Sequence, residues 1–133
     1  MRPDDVWPQV VEAFAHYGKR VQPRLRGERL RLVKRLLADG YEAHDLVAAT
    51  HGYVVYHEGL EPKMGSDFDP RRYFTPESVF RLEKLEPRIE LGLEGPYRKP
   101  ESAPERRERE RREEYERARE EVARERGGLH SVG

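Results

Sequence analysis

The clearest pattern of apolar and polar positions lies between Arg24 and Tyr41, where leucine and valine recur at helical spacing. At about 100° per residue, the apolar residues fall on one broad arc of a helix and most of the basic residues fall on the other. The apolar arc holds Leu25, Leu30, Leu32, Val33, Leu36 and Leu37, and the basic arc holds Arg24, Arg31, Lys34 and Arg35. Gly40 is expected to end this helix, because glycine adopts the left-handed cap conformation without steric cost. Arg29 lies inside the apolar arc, so either its stem reaches the edge of the core or its guanidinium meets a carboxylate.

A first helix and a basic connection precede this segment. Asp4 or Asp5 can cap a helix that runs to Gly18, with Pro8 near the first turn, where a missing N–H is harmless. Trp7 belongs to the apolar stripe of this helix, and we interpret it as a packing residue rather than a base-stacking platform. The connection that follows is basic, and it either contacts phosphate or forms a solvated loop. Its basic residues are Lys19 and Arg20, with Arg24 shortly after them.

A third helix is predicted from about Glu42. Its small residues should allow close approach to a neighbouring helix, and we expect the second and third helices to form an α-hairpin. The small residues are Ala43, Ala48, Ala49 and Gly52. His44 and His51 share a face of this helix, but their seven-residue spacing is too long for two zinc ligands on one helix. A zinc site that also uses His57 is therefore disfavoured.

Turn-forming residues interrupt the helical pattern between Glu58 and Phe74. We expect Asp67 and Asp69 to form Asx-turns. Together with His57, these carboxylates also suggest metal-dependent cleavage. The segment lacks the ligand register and terminal glutamate of a calcium loop, so turn chemistry is the favoured interpretation.

A fourth helix is predicted to start at Thr75, where a hydroxyl cap is followed by a proline at the first helical position. Its inward-facing residues are expected to be Val79, Phe80 and Leu82. Pro87 should end or kink the helix. Just before the cap, a cationic aromatic cluster either faces phosphate or rims the core. It consists of Arg71, Arg72 and Tyr73.

The composition changes after Leu93, and this change defines the predicted domains. Residues 1–93 form the helical domain, and residues 94–104 form a proline and glycine linker. Residues 105–126 are predicted to form a single charged helix of glutamate and arginine, and residues 127–133 a disordered tail. Ion pairs at four-residue spacing should support the charged helix; they are Glu105–Arg109, Glu108–Arg112, Glu113–Arg117 and Glu120–Arg124. This helix is either solvated or docks on a partner through a thin stripe of Tyr115, Ala118 and Val122.

Composition bounds the classes of function. The 133 residues are 35% hydrophobic and 39% charged with a net charge of +0, so binding to a polyanion must come from local basic patches. The absence of cysteine excludes disulfides, thiolate metal sites and cysteine nucleophiles. No apolar run approaches the roughly 18 residues that span a bilayer, and the N-terminus does not resemble a signal peptide. We therefore expect an all-α cytoplasmic protein with no membrane partner.

Catalytic motifs are not evident in the sequence. It contains neither a glycine-rich phosphate loop nor a serine in a nucleophile elbow. Glu77 and Glu86 are single carboxylates near helix ends, where capping and solvation explain them. A binding module without a cofactor or a metal is thus favoured over an enzyme.

Two groups of residues resemble a known family. A basic helix, a glycine-aromatic turn and a helix with an acid-leucine pair match at Arg29, Leu36, Leu37, Gly40, Tyr41, Asp45 and Leu46. After a variable loop, a second match covers Tyr73, Phe74, Pro76, Glu77, Ser78, Val79, Phe80 and Arg81. In order and spacing, the region from about Val10 to Gly92 resembles the conserved C-terminal domain of phage replication proteins, the replisome organisers and helix-turn-helix replication initiators. The glutamate-arginine segment is not required by that family.

This resemblance implies a role in phage or mobile-element DNA replication, as an adaptor that touches DNA, a helicase or a helicase loader. The expected binding residues are Lys19, Arg20, Arg24, Arg31, Lys34, Arg35, Arg71 and Arg72. They would contact DNA phosphates or an acidic partner. The alternative is a phage-encoded regulator that binds a host protein such as RNA polymerase, and the neutral total charge and the charged segment favour that function.

Overall fold

Every regular element in residues 1–131, the part of the chain that the computed structural model describes, is an α-helix. Side chains are described as far as Arg126. The helices are α1 (Pro3–His16), α2 (Gly27–Ala38), α3 (Ala43–Tyr56), α4 (Pro76–Val79), α5 (Leu82–Gly92) and α6 (Ala103–Ser131). The chain divides into two compact units, Met1–Lys99 with α1 to α5 and a second unit that begins at Pro100 and contains α6. The predicted all-α class is confirmed.

Apolar side chains from α1 to α5 and from the connecting loops form one core. Trp7 is 1% exposed, and its indole Nε1 donates a hydrogen bond of 2.8 Å to the carbonyl of Gln22. The predicted packing role of Trp7 is therefore confirmed. Phe14 lies at the centre, with its ring centroid 4.5 Å from that of Phe74 and 6.3 Å from that of Phe80. Phe74 precedes α4 and Phe80 follows it, so these three phenylalanines connect α1 to both ends of α4.

Two glycines allow α3 and α5 to pack backbone against backbone. A Cβ placed on Gly52 would lie 1.7 Å from the carbonyl oxygen of Arg88, and one on Gly92 would lie 1.7 Å from that of Ala48. The predicted close approach of α3 to a neighbouring helix is confirmed. The predicted α2–α3 hairpin is wrong, because among the described helices α3 packs against α1, α4 and α5, whereas α2 packs against α1 and α4.

The second helix is shorter than predicted at its start. Gly27 adopts a φ of +64°, which breaks the helical path, and Arg24 therefore precedes α2 instead of lying on it. At the other end Gly40 has a φ of +98°, and the N–H of Tyr41 donates to the carbonyl of Leu36 at 3.1 Å. This backbone geometry is a Schellman cap, so the predicted glycine stop is confirmed.

The first helix begins earlier than predicted. Arg2 occupies the cap position, and its N–H donates to the carboxylate of Asp5 at 3.4 Å. Asp5 thus lies in the first turn and is not the cap. Pro8 lies in the second turn, inside the helix.

The predicted fourth helix is two helices. Thr75 caps α4 as expected, with its hydroxyl accepting the N–H of Ser78 at 3.3 Å. The chain then breaks after Phe80, and Leu82, at 43% exposed, does not pack inward. Pro87 does not end α5, since the helix continues through it to Gly92. Leu85 and Ile89, on either side of Pro87, are both buried in the core.

The first unit extends beyond the predicted boundary at residue 93. Tyr97 packs against the core, its N–H donates to the hydroxyl of Tyr17 at 2.8 Å, and its own hydroxyl donates to the carbonyl of Glu58 at 3.0 Å. Six residues later α6 begins at Ala103, after a reciprocal capping box between Ser102 and Glu105 with both contacts at 3.3 Å. Of the predicted linker of residues 94–104, residues 94–99 therefore belong to the first unit and residues 103–104 belong to α6.

The charged helix α6 carries some of the predicted ion pairs. Arg112 pairs with Glu108 at 2.8 Å, and Arg117 with Glu113 at 4.0 Å. Arg109 lies 3.1 Å from Glu101 and not beside Glu105, because Glu105 is engaged in the cap. The backbone of α6 runs through the first part of the predicted disordered tail to Ser131, and residues 132–133 lie outside the described part of the chain.

Candidate nucleic-acid interface

The basic face of α2 is built by the burial of its opposite side. Val33 and Leu36 are buried, which fixes the rotation of the helix about its axis. Arg31, Lys34 and Arg35 are exposed at positions i, i+3 and i+4, so they share one face. Within residues 1–126, none of these three side chains lies within 4.0 Å of a carboxylate oxygen. Three positive charges on α2 are therefore directed to solvent.

Arg29 connects α2 to α4 through a carboxylate. Its Nε donates to the Glu77 carboxylate at 2.5 Å, so the second of the two predicted alternatives for Arg29 is the observed one. Burial acts to raise the pKa of Glu77, but the hydrogen bonds, of which that from Arg29 is the largest, bring the pKa below its ordinary value. This partly exposed ion pair connects α2 to α4 and does not involve the three exposed cations of the basic face.

The remaining predicted residues of the basic connection lie before α2. Arg20 and Arg24 are exposed and Lys19 is half-buried, and none of them forms an ion pair within the described side chains. The fold brings Arg71 to this connection, because a Cβ on Gly18 would lie 4.0 Å from Nη1 of Arg71. Arg71 also lies 3.6 Å from Glu61, so its charge is partly balanced.

Arg72 belongs to a different environment. Its guanidinium lies over the ring of Tyr73, 5.8 Å from the centroid, in a cation–π contact. Tyr73 is 46% exposed and stacks on Phe68 at 5.3 Å with an interplanar angle of 6°. The cluster before α4 is thus joined to a further surface aromatic residue, Phe68, which belongs to none of the predicted sites.

A row of aromatic rings in contact, called the aromatic stack below, leads from the core to this surface. The ring centroids of Tyr53 and His57 are 4.5 Å apart with the ring planes tilted by 56°, and His57 stacks on Phe68 at 5.1 Å and 27°. Tyr53 is buried, with its hydroxyl donating to the carbonyl of Pro70 at 2.8 Å, and burial raises its pKa to about 12. Phe68 is 42% exposed, so exposure increases along the stack from Tyr53 to Tyr73.

The stack lines a groove of about 540 Å³ between α3, α5 and the loop that joins α3 to α4. Three cations and one carboxylate line it as well: Arg81, Lys84, Arg88 and Glu83. Arg88 is fixed, because its Nη1 donates to the carbonyls of Ser78 at 2.6 Å and Val79 at 2.9 Å, and burial lowers its pKa. Arg81 and Lys84 are exposed. No sequence pattern identifies this groove, because its aromatic residues come from separate segments and share no periodicity.

The histidines have structural partners. Nδ1 of His51 and the hydroxyl of Tyr17 share a hydrogen bond of 2.8 Å. The same hydroxyl accepts the N–H of Tyr97. Burial lowers the pKa of His51, and His16 lowers it further. Burial likewise lowers the pKa of His57, with smaller contributions from Arg88 and Lys63. Both rings are held in an environment that favours the neutral form.

The candidate metal-binding residues do not form a cluster. Among the residues with described side chains, no group of three or more histidine, aspartate or glutamate side chains is arranged to hold a metal ion. The carboxylate of Asp69 accepts the N–H of Arg71 at 3.1 Å, so the Asx-turn predicted at Asp69 is confirmed. Asp67 makes no such contact among the described residues, where Ser66 accepts the N–H of Phe68 at 3.2 Å.

Comparisons with known proteins leave the family open. No family model, curated protein or solved structure matches the chain. The resemblance to phage replication proteins stays a prediction from short motifs. Of the helices described, none is both long enough and apolar enough to cross a membrane.

Proposed function

We propose that the chain is a non-catalytic adaptor of phage or mobile-element DNA replication, which contacts DNA phosphates and a replicative helicase or its loader. The observation that carries this proposal is the basic face of α2. Arg31, Lys34 and Arg35 are exposed on one face with no carboxylate within 4.0 Å among the described side chains. In a chain of net charge +0, such a concentration of unbalanced positive charge is a local feature. It suits a polyanion, because each phosphate contact releases condensed counterions.

The proposed contact is to the backbone and not to the bases. Arginine and lysine side chains on a solvent-facing helix can neutralise phosphates without entering a groove, and such contacts position a protein without reading sequence. Binding should thus show little sequence preference and a strong dependence on salt. If the three side chains of α2 each contact one phosphate, log K should fall against log salt with a slope of about −3 from this helix.

Fluorescence anisotropy of labelled duplex and single-stranded oligonucleotides tests the proposal with the full chain across a salt series. The Arg31→Glu/Arg35→Glu variant should weaken binding at least about tenfold and reduce the magnitude of the salt slope by about two. The matched control is Arg98→Glu/Lys99→Glu, which makes the same change in net charge at two exposed positions of the first unit. Equal losses in both variants would show that only total charge matters and would contradict an interface on α2.

A second candidate function is a regulator that binds a host protein such as RNA polymerase. The observation that favours it is α6, where Tyr115 is 66% exposed and Val122 is 48% exposed on an otherwise charged helix. A pull-down from host lysate separates the two functions. The regulator would be favoured if Tyr115→Glu/Val122→Glu lost the captured partner, Arg31→Glu/Arg35→Glu retained it, and the wild type bound no oligonucleotide.

A further inference from the structure

The groove between α3 and α5 presents flat aromatic surface to solvent. Tyr56 is 67% exposed, Tyr73 is 46% exposed and Phe68 is 42% exposed, and all three line the same groove. Large apolar side chains are normally scattered singly on a protein surface, and a cluster of them marks a binding site. Phe68 and Tyr73 lie nearly parallel, with 6° between their planes. A third planar ring could continue such a stack.

The aromatic stack is anchored and preorganised. Its inner end is the buried ring of Tyr53, which is held by a hydrogen bond to the Pro70 carbonyl and by Arg88, 5.0 Å from the ring centroid. His57 lies next in the stack, and its lowered pKa favours an uncharged ring. The inner end of the stack is thus fixed, and Phe68 and Tyr73 are connected to it through His57.

The charges around the groove fit an anionic ligand. Its lining carries three cations against one carboxylate. Arg81 and Lys84 are exposed near the start of α5, and neither forms an ion pair within residues 1–126. Arg88 is occupied by the carbonyls of Ser78 and Val79, so it contributes charge but little freedom to move. The two exposed cations therefore lie in the same groove as the aromatic rings.

We propose that this groove binds unpaired nucleotides of a single-stranded nucleic acid, with bases stacked on Tyr56, Phe68 and Tyr73 and phosphates held by Arg81 and Lys84. The proposal rests on the proposed function and adds a second, strand-selective site to it. Aromatic platforms beside cations are the usual means of binding single strands without sequence preference. In a duplex the base faces are covered by neighbouring base pairs, so the exposed rings gain nothing from it.

The test compares three labelled oligonucleotides of one length, a single strand, its duplex and an abasic strand, using the full chain and fluorescence anisotropy. The abasic strand keeps the phosphates and removes the stacking partners. The wild type should bind the single strand about tenfold or more tightly than the abasic strand. Tyr73→Leu should lower single-strand affinity by about fivefold or more and leave duplex affinity unchanged. Arg81→Gln/Lys84→Gln should weaken binding of both the single strand and the abasic strand.

Two controls keep the outcome decisive. Tyr115→Leu removes an exposed tyrosine of α6 outside the groove and should leave the affinity for all three oligonucleotides unchanged. The fluorescence of Trp7, the only tryptophan, reports whether the core of each variant is intact. Equal wild-type affinity for the single and abasic strands, or a Tyr73→Leu variant that matches Tyr115→Leu, would overturn the groove site while the α2 interface stands. A wild type that binds none of the three oligonucleotides would overturn both proposals.

Discussion

Replacing Gly52 by alanine tests the central packing contact of the fold. The new Cβ would lie 1.7 Å from the carbonyl oxygen of Arg88 and 2.6 Å from its carbonyl carbon. Both are backbone atoms of α5, so no rotation of a side chain relieves the clash. To restore an ordinary contact of 3.4 Å, α3 and α5 must separate by about 1.7 Å at this point.

The expected loss follows from two opposing effects. In a helix interior alanine is favoured over glycine by about 1 kcal/mol. Separation of the helices, however, partly exposes Leu85 and Ile89, each of which contributes about 1.5 to 3 kcal/mol when fully buried, and overpacking alone costs about 1 to 3 kcal/mol. We therefore expect Gly52→Ala to lower the free energy of unfolding by about 3 kcal/mol, which corresponds to a fall in Tm of roughly 12 °C or more.

Urea denaturation of the full chain, followed by Trp7 fluorescence, measures this loss in the first unit. Gly65→Ala is the matched control, because Gly65 has a φ of +82° with no atom within 4 Å of its added Cβ. That variant should lose only about 1 kcal/mol, from backbone strain. Gly92→Ala should resemble Gly52→Ala, and the double variant should lose less than the sum because both act on one helix crossing. A Gly52→Ala protein as stable as the wild type would refute the backbone contact.

Three further predictions concern local contacts. Glu58 lies two residues after the end of α3 and has a φ of +55°, so Glu58→Gly should raise the free energy of unfolding by about 0.5 to 1 kcal/mol in urea denaturation. A lower free energy of unfolding would show that the Glu58 side chain contributes more than the backbone strain costs. Because the pKa of His51 is lowered in the folded chain, the unfolded chain binds a proton at this residue more readily below about pH 6.5 than the folded chain does. The free energy of unfolding should therefore decrease as the pH is lowered below about 6.5. His51→Gln should reduce that dependence without abolishing it, because the pKa of His57 is lowered as well, and an unchanged dependence would contradict the role of His51. A double-mutant cycle on Arg29 and Glu77 should give a coupling of about 0.2 to 1 kcal/mol, and no coupling would remove the tie between α2 and α4.

Helix identity was predictable where the cause is local. The apolar arc around Val33 and Leu36, the glycine stop at Gly40 and the Thr75 cap all follow from neighbours within a few residues. Helix pairing was not predictable in this way. Small residues in α3 predicted a close approach but not the partner, because α5 presents its complementary Gly92 some 40 residues later in the sequence.

The candidate site shows the same division. The exposed charges of Arg31, Lys34 and Arg35 could be predicted, since the buried side of one helix fixes its solvent face. The groove could not, because Tyr56, Phe68 and Tyr73 come from a helix, a loop and the residues before α4, and no periodicity links them. Arg71 and Arg72 are adjacent in sequence, but the fold directs one toward Gly18 and the other over Tyr73.

The sequence by itself determined that this protein is helical, that its charge is balanced and that α6 is charged except for a thin apolar stripe, because propensity, periodicity and composition are properties of short segments. Only the tertiary structure decided that Arg29 pairs with Glu77, that Gly52 contacts Arg88 and that the aromatic rings stack beside Arg81 and Lys84. These contacts join residues distant in the chain. Their partners are selected by the packing of the whole core, in which steric fit and burial act at once.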